Sequence, residues 1–185
     1  MKKLISLLLV LSMVVAMAAG CTNTNTNTEA TTEPTTEATE PAKTPLADNM
    51  ETVAGKIIEK NPVEFMGGAM PLDLTDLEGL TYNTGLKSAD KVKEVVMYGP
   101  MMGSIAFSML LVRVNDAADA QSVAQEMSDN IDTRKWICVE ANEKITVGYC
   151  DVVMLIMLDN QNGMSAQSFV DAFKAVCGAE LDFVI

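Results

Sequence analysis

VKEVVMYGPMMGSIAFSMLLVRV, residues 92–114, is the stretch on which the fold turns. Val92–Tyr98 and Ser104–Val114 are rich in β-branched and long apolar side chains. Between them, Gly99-Pro100-Met101-Met102-Gly103 carries the residues that stop a strand and reverse a chain. The stretch predicts an antiparallel hairpin. Ile105–Val114 is apolar at nearly every position, interrupted by Ser108 and Arg113. A strand with one wet face alternates; a strand apolar on both sides is covered on both sides.

Working outward, Asn115 or Asp116 is placed to cap a helix whose inner face is Ala117, Ala120, Val123, Ala124, Met127 and Ile131. Trp136–Glu140 and Asp151–Leu158 then predict a second hairpin across a polar loop. In its second strand Val152, Met154, Ile156 and Leu158 alternate with Val153, Leu155 and Met157, so both faces are apolar again. Asn160–Gly163 break the chain. Ser165 caps a last helix carrying Phe169, Val170, Phe173 and Val176, with Met164 packing on Phe169 and Gly178 ending the helix. Leu181–Ile185 adds an edge strand.

Upstream, Met50, Val53, Ile57 and Ile58 share one face of a helix within residues 48–60, which ends before Pro62. Residues 61–90 are mixed, with short strands expected near Leu72–Leu74 and Leu80–Asn83. The order is helix, then hairpin–helix twice. It gives an α+β fold with a mainly antiparallel sheet and helices packed on it. The two later helices cover one face of the sheet. The other face is expected to lie under the first helix and residues 61–90; cover by a second copy, as a homodimer, or by a partner protein stays open.

The beginning of the chain has a different character. Lys2 and Lys3 precede an apolar run from Leu4 to Val15, and Ala18-Ala19-Gly20 leads directly to Cys21. That run is shorter than the roughly 18–20 apolar residues needed to cross a bilayer, so residues 1–20 are an export signal. Residues 22–45, TNTNTNTEATTEPTTEATEPAKTP, hold no large apolar side chain and place Glu29, Glu33 and Glu37 among threonines and prolines. Such a composition cannot bury enough surface to offset chain entropy, so residues 21–47 are expected to be a disordered linker. Flexible-chain scaling gives it a reach of roughly 25–30 Å. A single domain is left at residues 48–185.

The segment ending at Cys21 resembles the lipobox of bacterial lipoproteins, with Ala18 in place of the usual bulky residue. The resemblance implies cleavage between Gly20 and Cys21. It also implies a diacylglycerol thioether on Cys21, with the membrane as partner through that lipid. Without the signal the chain keeps 11 basic and 25 acidic residues, a net charge of −14. That balance repels nucleic acid and anionic headgroups, so no nucleic-acid binding is expected and the lipid alone does the anchoring.

Chemistry is mostly excluded. The chain has no histidine, which removes Ser-His-Asp and Cys-His nucleophilic systems and histidine-held zinc. It has no P-loop, no GxGxxG and no EF-hand loop, and no cofactor is expected. Cys138, Cys150 and Cys177 lack CxxC spacing. Cys138 and Cys150 lie on the expected second hairpin, and a disulfide between them is left open. Of 11 methionines beyond the signal, Met66, Met70, Met101 and Met102 fall in or beside glycine-rich loops. Thioethers suit Cu(I), and Met101 and Met102 are the candidate metal ligands; core filling is the plainer account of methionine. Asp73, Asp76, Glu78, Glu140 and Asp151 near strand ends are the candidates for a carboxylate pair of a cell-envelope hydrolase. Arg113, in an apolar strand, and Trp136, in the run Arg134-Lys135-Trp136, are the candidate ligand-binding residues.

From about Ile57 to Leu181 the sequence is similar to a domain of unknown function found in small Gram-positive lipoproteins. The similarity rests on YGPMMGSIAFSMLLVRVND, on RKWICVEA, and on the strand Asp151–Leu158 followed by a terminal helix. It implies a cell-envelope location, lipid-anchored on the extracytoplasmic face of the cell membrane, and carries over no catalytic residue. The expectation is a non-enzymatic binding or interaction module, its solute, wall component or partner protein bound near the sheet edge or the 99–104 turn.

Overall fold

A computed structural model describes residues 43–185. The expected export signal, Cys21 and the expected linker up to residue 42 lie outside the described residues. Ten elements follow in chain order: α1 (Met50–Lys60), β1 (Gly67–Pro71), α2 (Leu77–Thr84), β2 (Val92–Pro100), β3 (Phe107–Val114), α3 (Ala120–Asn130), β4 (Glu143–Tyr149), β5 (Val152–Leu158), α4 (Ala166–Cys177) and β6 (Phe183–Val184). The strands form one sheet in the order β1-β2-β3-β5-β4-β6, and every neighbouring pair is antiparallel. The class is therefore α+β, with helices on an antiparallel sheet.

The centre of the sheet is β3 against β5, where Leu110 faces Leu155 and Leu111 faces Met154 across the ladder. All seven residues of β5 are buried. Alternation sends the two sets of side chains into two separate cores. Met109, Leu111, Met154 and Ile156 enter one, closed by Met50, Val53 and Ile57 of α1 and by Phe169 and Phe173 of α4. Phe107 meets both Phe65 and Phe169 edge-on, with ring centroids 5.1 Å apart in each case. Leu110, Val112, Val153, Leu155 and Met157 enter the other, closed by Leu80 of α2 and by Val123, Ala124 and Met127 of α3. Both faces are covered from within the chain. The pairing is α1 with α4 and α2 with α3, so the two later helices lie on opposite faces and not on one. Residues 61–90 divide between the cores, Val63, Phe65 and Ala69 on the first and Leu72, Leu74 and Leu80 on the second.

Three expectations are corrected. Leu80–Asn83 belongs to a helix, α2. Asp76 caps it by accepting from the Gly79 N–H, and Gly85, at φ 80°, ends it in the left-handed region. A side chain at Gly85 would meet the backbone of Ile131 at 2.6 Å, so this turn needs glycine on both counts. The early strand lies at Gly67–Pro71 and not at Leu72–Leu74, because two glycines leave it no side-chain period to read. The partner of β5 is Glu143–Tyr149 and not Trp136–Glu140. Tyr149 pairs with Val152, leaving Cys150-Asp151 as a two-residue turn with Cys150 at φ 51°. Ile145, Val147 and Tyr149 all pack on the first core. The apolar letters of RKWICVEA belong to an irregular loop.

Two details fix the chain ends. Residues 43–47, which composition assigns to the linker, are tied to the sheet: Tyr149 Oη donates to the Thr44 carbonyl, and Lys43 pairs with Asp182. Ser165 occupies the N-cap position of α4 without a side-chain cap bond. Glu143 of β4 accepts the Ala166 N–H instead, at 2.7 Å, and that bond with one from Asn160 holds the Glu143 carboxyl below its ordinary value. Among the described residues no helix is long and apolar enough to cross a membrane.

Candidate functional site

Ser108 is the polar break in β3, buried on the side of the α2–α3 core. Beside it the sheet surface drops, because Gly99 of β2 carries no side chain; a Cβ built there would meet only the Phe107 carbonyl oxygen, at 3.7 Å. Over this floor stand Tyr82 and Asn83 from α2 and the loop carrying Lys135, Trp136 and Ile137. Together they enclose a cleft of about 300 Å³.

The loop is held over the floor by four contacts. Tyr82 Oη donates to the Lys135 carbonyl at 2.6 Å. Lys135 Nζ donates to the Asn83 carbonyl at 3.1 Å and to Ser108 Oγ at 3.3 Å. The Ile137 N–H donates to the Gly103 carbonyl at 3.4 Å, joining the loop to the 101–104 turn. The Lys135 ammonium also lies 5.6 Å from the centroid of the Trp136 ring, within the range of a cation–π contact. Burial pulls the Lys135 pKa down from 10.5 to about 8, opposed in part by the negative charge of Asp132. At neutral pH the group is an ammonium, short of water, with two of its three N–H bonds engaged.

The sequence candidates fall into place unevenly. Trp136 and the 99–104 turn both border the cleft. Arg113 does not. Its Nη2 donates at 2.8 Å to the carbonyls of both Leu46 and Asp48, and its Nε lies 3.5 Å from Asp151. It fastens the chain entering α1. Met101 and Met102 are 77% and 63% exposed at the tip of the β2–β3 turn, and Met101 N–H bonds the carbonyl of Met66, another exposed methionine. Among the described residues no cluster of three or more Cys, Asp or Glu is arranged to hold a metal ion.

The candidate carboxylates hold local structure. Asp73 accepts from Thr75, which lowers its pKa; Asp76 caps α2, where Glu78 adds charge to the first turn. Glu140 pairs with Arg134 at 2.6 Å, and Asp151 with Arg113. Cys138 is an exposed free thiol in the 136–140 loop and Cys150 a free thiol in the β4–β5 turn. The second hairpin on which they would have faced one another is not formed by those residues.

A larger depression of about 500 Å³ lies between the end of α1 and the start of α4. Its one charged lining residue is Glu64, and Asn61 Nδ2 already donates to Ser168 Oγ there. It offers less directed chemistry than the Lys135 cleft.

The chain matches no family model, no curated protein and no solved structure. Its function has to be read from this cleft. Sequence reasoning reached Trp136 and the glycine-rich turn, and noticed Ser108 as the odd residue in an apolar strand. Tyr82 and Asn83 carry no such signal, since Leu80–Asn83 has the look of a short strand in sequence, and without α2 nothing sets Lys135 beside a partner.

Proposed function

We propose that this chain is a bacterial lipoprotein held on the extracytoplasmic face of the cell membrane by lipid on Cys21, and that its domain is a non-enzymatic binding module. The observation that carries the second half is the cleft between α2, the β2–β3 turn and the 134–137 loop. It is preformed, walled by apolar groups, and contains a directed ammonium beside an aromatic face. Ligand sites are built this way, with a few placed polar groups in an otherwise apolar hollow. The groups gathered there can hold a charge and a flat surface. The run of Ala18-Ala19-Gly20 into Cys21, after Lys2, Lys3 and a short apolar stretch, supports the anchoring half.

Two measurements test it. The full chain, expressed in a Gram-positive host with labelled fatty acid, should carry the label, and Cys21→Ser should lose it; label retained by the variant would remove the anchoring half. For the binding half, thermal unfolding of the full chain is followed against metals including Cu(I), amino acids, sugars, organic acids and wall fragments. A ligand at 100 times its Kd stabilises by about 2.7 kcal/mol, a shift of several degrees. A shift that disappears on filling the cleft with Gly99→Val supports the module. A blank panel, or shifts indifferent to that substitution, counts against the cleft as its site.

A further inference from the structure

Lys135 is the one charged residue lining the cleft, in a chain with 25 acidic residues and 13 basic ones. Among the described residues no acid lines the cleft, and the one acid whose charge acts on the Lys135 ammonium, Asp132, stands outside the lining. That ammonium has two N–H bonds fixed on neutral acceptors, the Asn83 carbonyl and Ser108 Oγ, and one left for a ligand. Neither acceptor neutralises the charge. An incoming anion would do so, restoring the stabilisation that burial takes from the ammonium, while a cation would meet repulsion.

The rest of the wall specifies shape. Trp136, Met97 and Pro100 offer flat or polarisable apolar surface, and the bare floor at Gly99 leaves room for a planar group to lie against the sheet. A volume of about 300 Å³ is at the small end of ligand sites, enough for one or two rings and not for a chain of sugars or residues.

We propose that the cleft binds small aromatic carboxylic acids, the carboxylate on Lys135 Nζ and the ring stacked beside Trp136 over Gly99. This deepens the binding-module reading and rests on it. Trp136 is the chain's single tryptophan; it borders this cleft and also a shallower depression with Arg134 and Glu140, and Gly99→Val tells a response at the cleft from one at the depression.

The test is a fluorescence titration of the full chain in detergent with benzoate, phenylacetate and cinnamate, each beside its neutral amide, and with acetate as the ringless control. Saturable change is expected with the acids, with affinity at least tenfold weaker for the amides and for acetate. Lys135→Met should bring acid and amide to the same weak affinity, Lys135→Arg should recover part of the difference, and Gly99→Val should abolish the response while leaving Lys135 in place. Affinity for the acids should also fall about tenfold from pH 7 to pH 9, as the free amine loses its proton near pH 8. Amides binding as well as acids, or an acid response unaffected by Lys135→Met, would overturn the acid assignment and leave the binding module standing. Silence from every acid, with shifts from other compounds in the thermal panel that Gly99→Val removes, does the same. Silence in both experiments overturns both readings.

Discussion

Cys177, Cys150 and Cys138 show how far three identical side chains are separated by their surroundings. Cys177 ends α4, half-buried against the first core, and burial pushes its thiol from 9.0 up to about 12, helped by the nearby Cys150 and Asp182. Cys150 is raised in the same direction by burial and by Asp182 and Asp151. Cys138 is exposed, with its backbone at φ 63°. Thiolates are the reactive form, so access and a low pKa together set the order of alkylation. At pH 8, mass spectrometry should find iodoacetamide on Cys138 first and on Cys177 last. The Cys177 shift also fixes a sign. The folded state holds the proton more tightly than the unfolded chain, so this contribution is whole below about pH 9 and is lost as pH climbs toward 12. Stability measured by denaturant should decline through that alkaline window. Cys177→Ala should flatten part of the decline, the remainder coming from Cys150, Tyr149 and Tyr98, whose pKa values burial also raises, while Lys135, lowered to about 8, works against the decline between pH 8 and 10.5. An unchanged alkaline slope in the variant would contradict the assignment.

At the scale of elements, the last strand depends on a missing side chain. Gly148 of β4 pairs with Phe183 of β6, and the Phe183 ring lies where a Cβ at 148 would be, 2.1 Å from its nearest atom. The two-residue strand β6 has few other ties: the Asp182 and Ile185 N–H groups bond Gly148 and Thr146 carbonyls, and Thr146 N–H bonds the Ile185 carbonyl. Gly148→Val should therefore displace Phe183 and fray β6, at a cost of about 1–3 kcal/mol of stability, seen as a lowered denaturant midpoint. Amide exchange at Thr146 and Ile185 should rise with it; unchanged protection there would show that the ring simply moves aside. Strands of this kind explain what the sequence could and could not tell. The β2–β3 hairpin and α1, α3 and α4 are legible because their apolar periods are long and their breaks carry Gly, Pro, Asn or Asp. Glu143–Tyr149 does alternate, Ile145, Val147 and Tyr149 against Thr146 and Gly148, but the apolar set is only three residues long and the apolar letters of Trp136–Glu140 compete with it for the same place in the hairpin. Gly67–Pro71 has almost no side chains to form a pattern. For α2, eight residues LEGLTYNT lack a strong apolar stripe, and its fit depends on Gly85 touching the Ile131 backbone. The cleft inherits the same limit: its chemistry was visible residue by residue, while its geometry required α2.

At the scale of the molecule, the two cores share their middle wall. Leu155 of β5 points into the α2–α3 core and its neighbour Ile156 into the α1–α4 core, both fully buried. Moving either strand of the β3–β5 pair disturbs both cores at once, so neither layer of helices has an independent sheet to rest on. Unfolding of residues 43–185 should be a single transition. Leu155→Ala and Ile156→Ala should each cost about 2–5 kcal/mol, because each leaves a cavity in a packed interior. The informative comparison is between probes. Trp136 fluorescence reports on the α2–α3 side, and far-ultraviolet circular dichroism reports on all the helices. For a shared wall the two curves coincide in the wild type and stay coincident in both variants, shifted together. Separation of the curves in Leu155→Ala, with Trp136 melting before the bulk of the helix signal, would show that the α2–α3 layer can detach. The same coupling bears on binding, since the floor of the cleft is formed by β2 and β3, which also line the α1–α4 core. A ligand held by Lys135 and Trp136 would then raise the melting of the whole domain and not of one loop, and thermal unfolding is for that reason a sufficient readout for a site at one end of the β2–β3 pair.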